Sequence, residues 1–298
     1  MAASVRQRLL NQSKSSKENF NLVLLRYGME RLLYRIGASP HHHDFVLKGA
    51  ALFSLWEPNL RHRPTKDIDL LSFGTPDLER LKAVFAELCT TKVPDDGLSF
   101  APETIMVSRI KEDMEYEGVR LKLKTMLGKI PIVLSVDVGF GDAITPGPEP
   151  AAYPTLLKDS PAPSIQVYPK ATVVAEKFQA MVDLGITNTR LKDFFDLLFL
   201  SKHFHFDGNE LVLAVKQTFK RRKTPLPTTP PPALTTEFSK DASKIQQWAA
   251  FLKKNRLIED ELDTVVDALH DFLWPVVEAA HQHPHWTKTW SPSTAWSP

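Results

Sequence analysis

Apolar positions recur along the first part of the chain at helical spacing. Between Asn19 and Ile36, the residues Phe20, Val23, Leu24, Tyr27, Leu32 and Leu33 mark one face, and Gly37 with Pro40 ends the helix. The run from Phe45 to Trp56 begins as a strand and is expected to continue as a helix from Gly49, stopping before Pro58. After Arg61-His62-Arg63-Pro64-Thr65, a short strand is expected over Asp67 to Leu71. Pro76 and Asp77 then open a helix to Leu88, apolar at Leu78, Leu81, Val84, Phe85 and Leu88.

The period next falls to two. Glu103 to Ile110, Glu115 to Thr125 and Ile130 to Val138 predict an antiparallel meander. In its middle strand, Val119, Leu121 and Leu123 alternate with Arg120, Lys122 and Lys124, so one face is apolar and the other basic. The Gly- and Pro-rich stretch from Gly139 to Pro163 predicts a domain boundary, with a first domain over residues 1–150. Beyond Pro169 the pattern is helical over Lys170–Leu184, Arg190–His203, Asn209–Lys220, Lys240–Leu252 and Ile258–Ala280, giving a second domain over residues 164–285. Five prolines within Thr224–Pro232 predict a linker or extended arm. Residues 286–298, with Trp286, Trp290 and Trp296 among Ser and Pro, are expected to form a flexible tail. The fold class is α/β (α+β): a mixed, largely antiparallel sheet with helices, followed by a helical domain.

Charge and composition narrow the function. Lys and Arg number 37 against 35 Asp and Glu, a net +2. That excludes a protein that coats nucleic acid by bulk charge and leaves room for a local basic groove. Cys89 is alone, so an internal disulfide and a cysteine-built zinc site are excluded. No apolar run approaches the roughly 18 residues of a membrane span. Met1 to Lys17 is a polar leader without a signal peptide's apolar core, so a cytoplasmic protein with no membrane partner is expected.

The chemistry concentrates in acidic residues on strands. In Asp67-Ile68-Asp69 a period of two puts both carboxylates on one face. Like charges that close resist ionising together unless a cation intervenes, and Mg²⁺ commonly takes one or two carboxylates plus substrate phosphates. Asp137 interrupts the apolar run Ile132 to Val138, where an acid is costly unless paired or on metal. Asp67, Asp69 and Asp137 together suit two metals clamping an in-line phosphoryl displacement. Gly49, preceded by Lys48, sits where strand becomes helix, a place where backbone can approach a phosphate. The plainer alternatives are a solvated D-x-D strand edge and an Asp137 that bonds the turn before Gly139. The His41-His42-His43 run is expected to be an exposed loop rather than a metal site. Lys220-Arg221-Arg222-Lys223 suits either RNA backbone or a solvated helix end. The Arg120/Lys122/Lys124 face is the better nucleic-acid candidate.

The chain resembles a known family through several of these motifs jointly. Lys48-Gly49-Ala50, Arg63-x-Thr65-x-Asp67-x-Asp69-Leu70, Asp137-Val138-Gly139-x-Gly141-Asp142, Ala175-Glu176-Lys177 and Asn188-Thr189-Arg190-x-Lys192-Asp193-Phe194-x-Asp196-Leu197 are similar to the successive motifs of the AbiEii-type nucleotidyltransferase toxins. Within that group the similarity is to MenT-like toxins, in the DNA polymerase β-like nucleotidyltransferase superfamily, and it spans residues 20–215. The resemblance implies a nucleotidyltransferase palm, a helical domain completing the active site, and a bacterial type IV toxin–antitoxin system. It implies Mg²⁺ or Mn²⁺ as cofactor and a nucleoside triphosphate (NTP) as substrate. It also implies transfer of nucleotides to tRNA 3′ ends, which blocks translation, and an AbiEi-like or kinase-like antitoxin. By the same resemblance Asp67, Asp69, Lys177 and Asp193 are catalytic, and Lys48, Gly49, Ala50, Thr65 and Asp196 contact substrate. Asp67, Asp69 and Asp137 hold metal, and phosphorylation of Thr65 silences the enzyme. Asp193 is either an orienting group for Lys177 or Arg190 or a general base, and Asp196 a core brace as well as a substrate-contact candidate. One departure is Ala50, where the family usually has Ser or Gly. The alternatives are transfer to a protein hydroxyl and a non-catalytic binding protein on a degenerate palm.

Overall fold

A computed structural model describes residues 1–58, 62–110, 118–282 and 285–298. Arg61 of the loop and the expected strand start at Glu115 lie outside the described residues. The chain divides into two compact units, one of residues 1–142 with 148–168, the other of residues 143–147 with 169–298.

The first unit is built on a seven-stranded sheet. Its helices are α1 (Ala2–Ser16), α2 (Phe20–Gly37), α3 (Ala51–Trp56) and α4 (Leu78–Thr90). Its strands are β1 (Phe45–Lys48), β2 (Asp67–Ser72), β3 (Leu98–Ile110), β4 (Gly118–Leu127), β5 (Ile130–Phe140), β6 (Glu149–Ala152) and β7 (Ser164–Val167). The spatial order is β3-β4-β5-β2-β1-β7-β6. β2 pairs parallel with β5 and β1 parallel with β7, while the other neighbours are antiparallel. The sheet is therefore mixed and largely antiparallel.

Caps and periodicity explain the boundaries. The Asn19 side chain accepts the Asn21 N–H at 2.9 Å and starts α2, and Asp77 accepts the N–H groups of Glu79 and Arg80 at 2.9 and 3.0 Å to start α4. In β4 and β5, Val119, Leu121, Leu123, Leu134, Val136 and Val138 are buried. Helices α1, α2 and α4 pack on the sheet. The alternate positions on the opposite face carry the polar residues considered below.

Two features depart from the sequence expectation here. The polar leader is a helix, α1, that buries only a stripe of Val5, Leu9 and Ser13, four residues apart, too narrow to show in an averaged pattern. The loop placed at Gly139–Pro163 contributes β6, and β7 follows, so the first unit continues to Tyr168.

The second unit is helical, with α5 (Lys170–Leu184), α6 (Leu191–His203), α7 (Gly208–Arg221), α8 (Thr236–Ser239), α9 (Ala242–Asn255) and α10 (Leu262–Gln282). Phe178, Phe194, Phe219, Phe238 and Phe272 fill its core. Residues 224–231, which hold four of the five prolines, adopt neither helix nor strand. The expected flexible tail instead forms a hairpin, β9 (Thr289–Ser291) with β10 (Ala295–Ser297), and β9 pairs with β8 (Phe206–Asp207). Its indoles are the reason. The Trp290 N–H donates to the Ser201 carbonyl at 2.8 Å and that of Trp296 to Phe272 at 2.9 Å, while both rings pack on Phe272. Large aromatic burial with a satisfied N–H offsets the entropy of ordering the segment.

Because Trp290 is only 7 % exposed, Trp290→Ala should lower unfolding stability by about 3–5 kcal/mol. Denaturant titration checks this, and a loss below about 1 kcal/mol would mean that the hairpin does not pack in solution.

Candidate active site

The register of the sheet assembles charged residues in a row. Lys48 on β1 stands opposite Asp69 on β2, Asp69 opposite Asp137 on β5, and Asp137 opposite Arg120 on β4. Adjacent strands lie about 4.8 Å apart, so four charges sit abreast, two neighbouring acids flanked by a cation at each end. The next row on the same face contains Asp67, Ser135 and Lys122, again register partners. Asp67 and Asp69 are half-buried and flank the fully buried Ile68. The period-two argument thus holds in three dimensions: the three aspartates share one face.

Each member of the row has a defined environment. Arg120 forks onto Asp137, Nε to Oδ1 at 2.7 Å and Nη2 to Oδ2 at 2.6 Å. Its hydrogen bonds to Asp137, with the nearby charges of Asp67 and Asp69, raise the guanidinium pKa above its already high value. The Lys48 ammonium ion-pairs with Asp142, and the Tyr168 hydroxyl donates to the same carboxylate at 3.1 Å. The Asp142 side chain is 7 % exposed, so this carboxylate fixes where Lys48 points. Asp142 and Tyr168 had no assigned role from sequence, although Asp142 closes the Gly139-x-Gly141 motif.

Gly49 has a positive φ of 71°, and a Cβ there would overlap the Asp69 carboxylate. Glycine is required at that turn on both counts. Ala50 is buried and begins the short turn into α3. The Thr65 hydroxyl donates to the Asp67 carbonyl at 3.1 Å, which braces the start of β2.

The second unit gathers Lys177, Asp193, Asp196 and Arg190. Lys177 on α5 sits 2.7 Å from both Asp193 Oδ1 and Asp196 Oδ2 on α6. Arg190 Nε lies 2.8 Å from Asp193 Oδ2. Both aspartates are completely buried, Lys177 is 12 % exposed and Arg190 is 46 % exposed at the side chain. Burial pushes the Asp193 carboxyl up, but Lys177 and Arg190 outweigh it and hold the pKa below the usual value. Both carboxylates are thus enclosed by the fold with Lys177 between them, the arrangement expected of groups that orient an ammonium. Arg190, the outward member, is the residue that sequence reasoning underweighted. Asn188 is also buried, its side-chain oxygen accepting the Arg190 N–H at 2.7 Å and its carbonyl accepting Lys244 Nζ at 2.8 Å.

Other sequence candidates have structural occupations. His41 bonds Asp44 at 2.9 Å and Glu87 at 3.0 Å. Burial lowers its pKa, and the two carboxylates more than reverse that. Arg222 of the basic run pairs with Glu176 at 3.1 Å and donates to Gln179 at 2.9 Å.

This chain matches, over residues 31–273, the profile of the family described as nucleotidyl transferase AbiEii toxin, type IV TA system. The chain belongs to the AbiEii nucleotidyltransferase toxins. It is an enzyme that transfers nucleotides, and the family implies an NTP substrate and an antitoxin partner. Two crystal structures are similar in fold. A candidate nucleotidyltransferase from H. pylori has 19 % identity and a TM-score of 0.50, with 89 % of this chain and 98 % of that one covered. JHP933 from Helicobacter pylori has 19 % identity and a TM-score of 0.48, with 87 % and 93 % covered. No curated protein matches. No helix among the described residues is long and apolar enough to cross a membrane.

The donor set fits a divalent metal in one specific way. Asp67 and Asp69 would offer hard oxygen donors on one face, and Gly49 keeps side-chain bulk away from Asp69. Among the described residues no group of three His, Cys, Asp or Glu is gathered closely enough to form an all-protein cage. Asp137, expected as the third ligand, is abreast of Asp69 but holds Arg120 instead. Two carboxylates completed by substrate phosphates is the arrangement Mg²⁺ ordinarily accepts.

The buried cluster makes a pH prediction. Asp193 has a depressed folded pKa, so its stabilisation is complete above the unfolded value of about 3.9 and is lost as pH falls through the lower folded value. Asp193→Asn should therefore be destabilised relative to wild type by a constant margin, about 3 kcal/mol, above about pH 5, and by a shrinking margin in acid. A margin that does not change with pH would show that folding leaves the Asp193 pKa where it is in the unfolded chain.

Proposed function

We propose that this AbiEii enzyme is the toxin of its system and acts as a metal-dependent nucleotidyltransferase on tRNA 3′ ends. The observation that carries the proposal is the pair Asp67 and Asp69 on one face of β2, with Asp137 in register beside Asp69. Asp67 and Asp69 would hold Mg²⁺ or Mn²⁺, which when bound neutralises charge on the triphosphate. An acceptor hydroxyl attacks the α-phosphorus and gives its proton to solvent, the new P–O bond forms, the bond to the β-phosphate oxygen breaks and pyrophosphate leaves. Lys48, aimed by Asp142, and the Gly49 turn are proposed to seat phosphate oxygens. Lys177 is proposed to offset the charge of the departing pyrophosphate, held in place by Asp193 and Asp196.

Beside Arg120, which forks onto Asp137, the exposed Lys122 and Lys124 on this face are proposed to meet RNA backbone. Thr65 is the proposed point of control. A phosphate there brings about −1.5 to −2 charge beside Asp67, opposing the triphosphate by repulsion. A kinase-like antitoxin suits that chemistry, and the cytoplasm is the compartment in which all these partners meet.

Incubation with each α-³²P-labelled NTP and total RNA, with and without Mg²⁺, tests the proposal. Label should enter tRNA only with metal present. Label in protein instead moves the acceptor to a protein hydroxyl, and no turnover with any acceptor would leave only a binding role for this palm. In parallel, Lys122→Ala with Lys124→Ala should reduce the slope of log K for tRNA against log salt by about 0.7 per lost contact. An unchanged slope would place the RNA path on another surface.

A further inference from the structure

Both oxygens of Asp137 are engaged by a single side chain. Arg120 reaches Oδ1 through Nε at 2.7 Å and Oδ2 through Nη2 at 2.6 Å, the planar bidentate geometry that a lysine cannot reproduce. Strand register fixes the pair, because Arg120 and Asp137 are direct partners across β4 and β5. On its other side Asp137 faces Asp69 across β5 and β2. It therefore stands between a permanent cation and a like charge. Without Arg120 the two neighbouring carboxylates would repel unless something positive replaced it. The pair is also accessible, with Arg120 42 % and Asp137 21 % exposed at the side chain, so it can open without unpacking the core.

A divalent cation on Asp137 would lie against this guanidinium, which stays charged at any working pH. The two cations compete for the same oxygens. An incoming triphosphate changes the balance, because its oxygens give the guanidinium another bidentate anionic partner.

We propose that Arg120 is the built-in counter-ion of Asp137: it keeps the third carboxylate out of the metal-ligand set until a triphosphate arrives to draw the guanidinium away. The substrate-free enzyme then offers a divalent ion Asp67 and Asp69 alone, and full metal loading follows nucleotide. This inference rests on the metal-dependent reading above.

The test is Mn²⁺ binding to the full chain, followed by electron paramagnetic resonance in the absence of nucleotide. Four proteins are compared: wild type, Arg120→Ala, Arg120→Ala with Asp137→Asn, and Asp67→Asn with Asp69→Asn. Arg120→Ala should bind Mn²⁺ at least tenfold more tightly than wild type, and adding Asp137→Asn should return the affinity to the wild-type range. The gain should persist in about 1 M KCl, where the screening length is about 3 Å, because it reflects a new ligand rather than a lost distant charge. Equal affinity of wild type and Arg120→Ala, or a gain abolished by salt, overturns the inference while leaving the two-carboxylate site standing. If wild type binds no better than the Asp67/Asp69 double variant, the metal reading itself fails, and this inference with it. Thermal unfolding of each variant shows whether it is folded. Should Arg120→Ala be unfolded, Arg120→Lys, which keeps the charge and loses the fork, should still bind Mn²⁺ more tightly than wild type, and equality there overturns the inference.

Discussion

Two aspartates held side by side on neighbouring strands are the constraint around which the first unit is arranged. Asp69 and Asp137 are register partners at the parallel β2–β5 pairing. Strand spacing leaves them about 5 Å apart at Cα, where like charges repel and call for opposite charge beside them. The chain supplies help at each end of the row: Arg120 beside Asp137, and Lys48 beside Asp69, with Lys48 itself steadied by Asp142. Apolar residues between these positions anchor the strands to α1, α2 and α4, so the charges cannot drift apart. A site that concentrates negative charge on a rigid sheet is suited to a cation and to a phosphate chain the cation bridges.

The second unit treats charge differently. Lys177 is enclosed by two carboxylates that are fully buried, and Arg190 covers the outer side of one of them. Such a cluster fixes the ammonium in one place at the expense of its freedom, since desolvated partners tolerate little displacement. Positioning, more than raw charge, is what this arrangement gives Lys177, because the two aspartates already balance it and Arg190 together.

Much of this was legible in the sequence, for identifiable reasons. The alternation through Val119 to Lys124 and the D-x-D triplet carry face information directly, since side chains alternate on a strand. The motif set from Lys48 to Leu197 gave the family before any geometry was known. What sequence could not give was partnership across strands. That Arg120 meets Asp137, and that Asp142 meets Lys48, depends on register, which couples residues 17 and 94 positions apart. Asp193 and Asp196 were visible as a pair three apart, but their complete burial follows from how α6 packs. The C-terminal hairpin was missed because Ser, Pro and Thr around three tryptophans read as a loose tail, and the indoles find their sites only in the folded helical unit.

The β2 carboxylates are proposed to carry out the chemistry rather than the folding. The most direct measurement is pyrophosphate release by Asp69→Asn, taken together with its melting temperature. Turnover is expected to fall by about a hundredfold or more, the several kcal/mol withdrawn from the transition state when a metal ligand is lost, while the melting temperature stays at or above that of wild type. Turnover within about threefold of wild type, a change under about 1 kcal/mol, would contradict it.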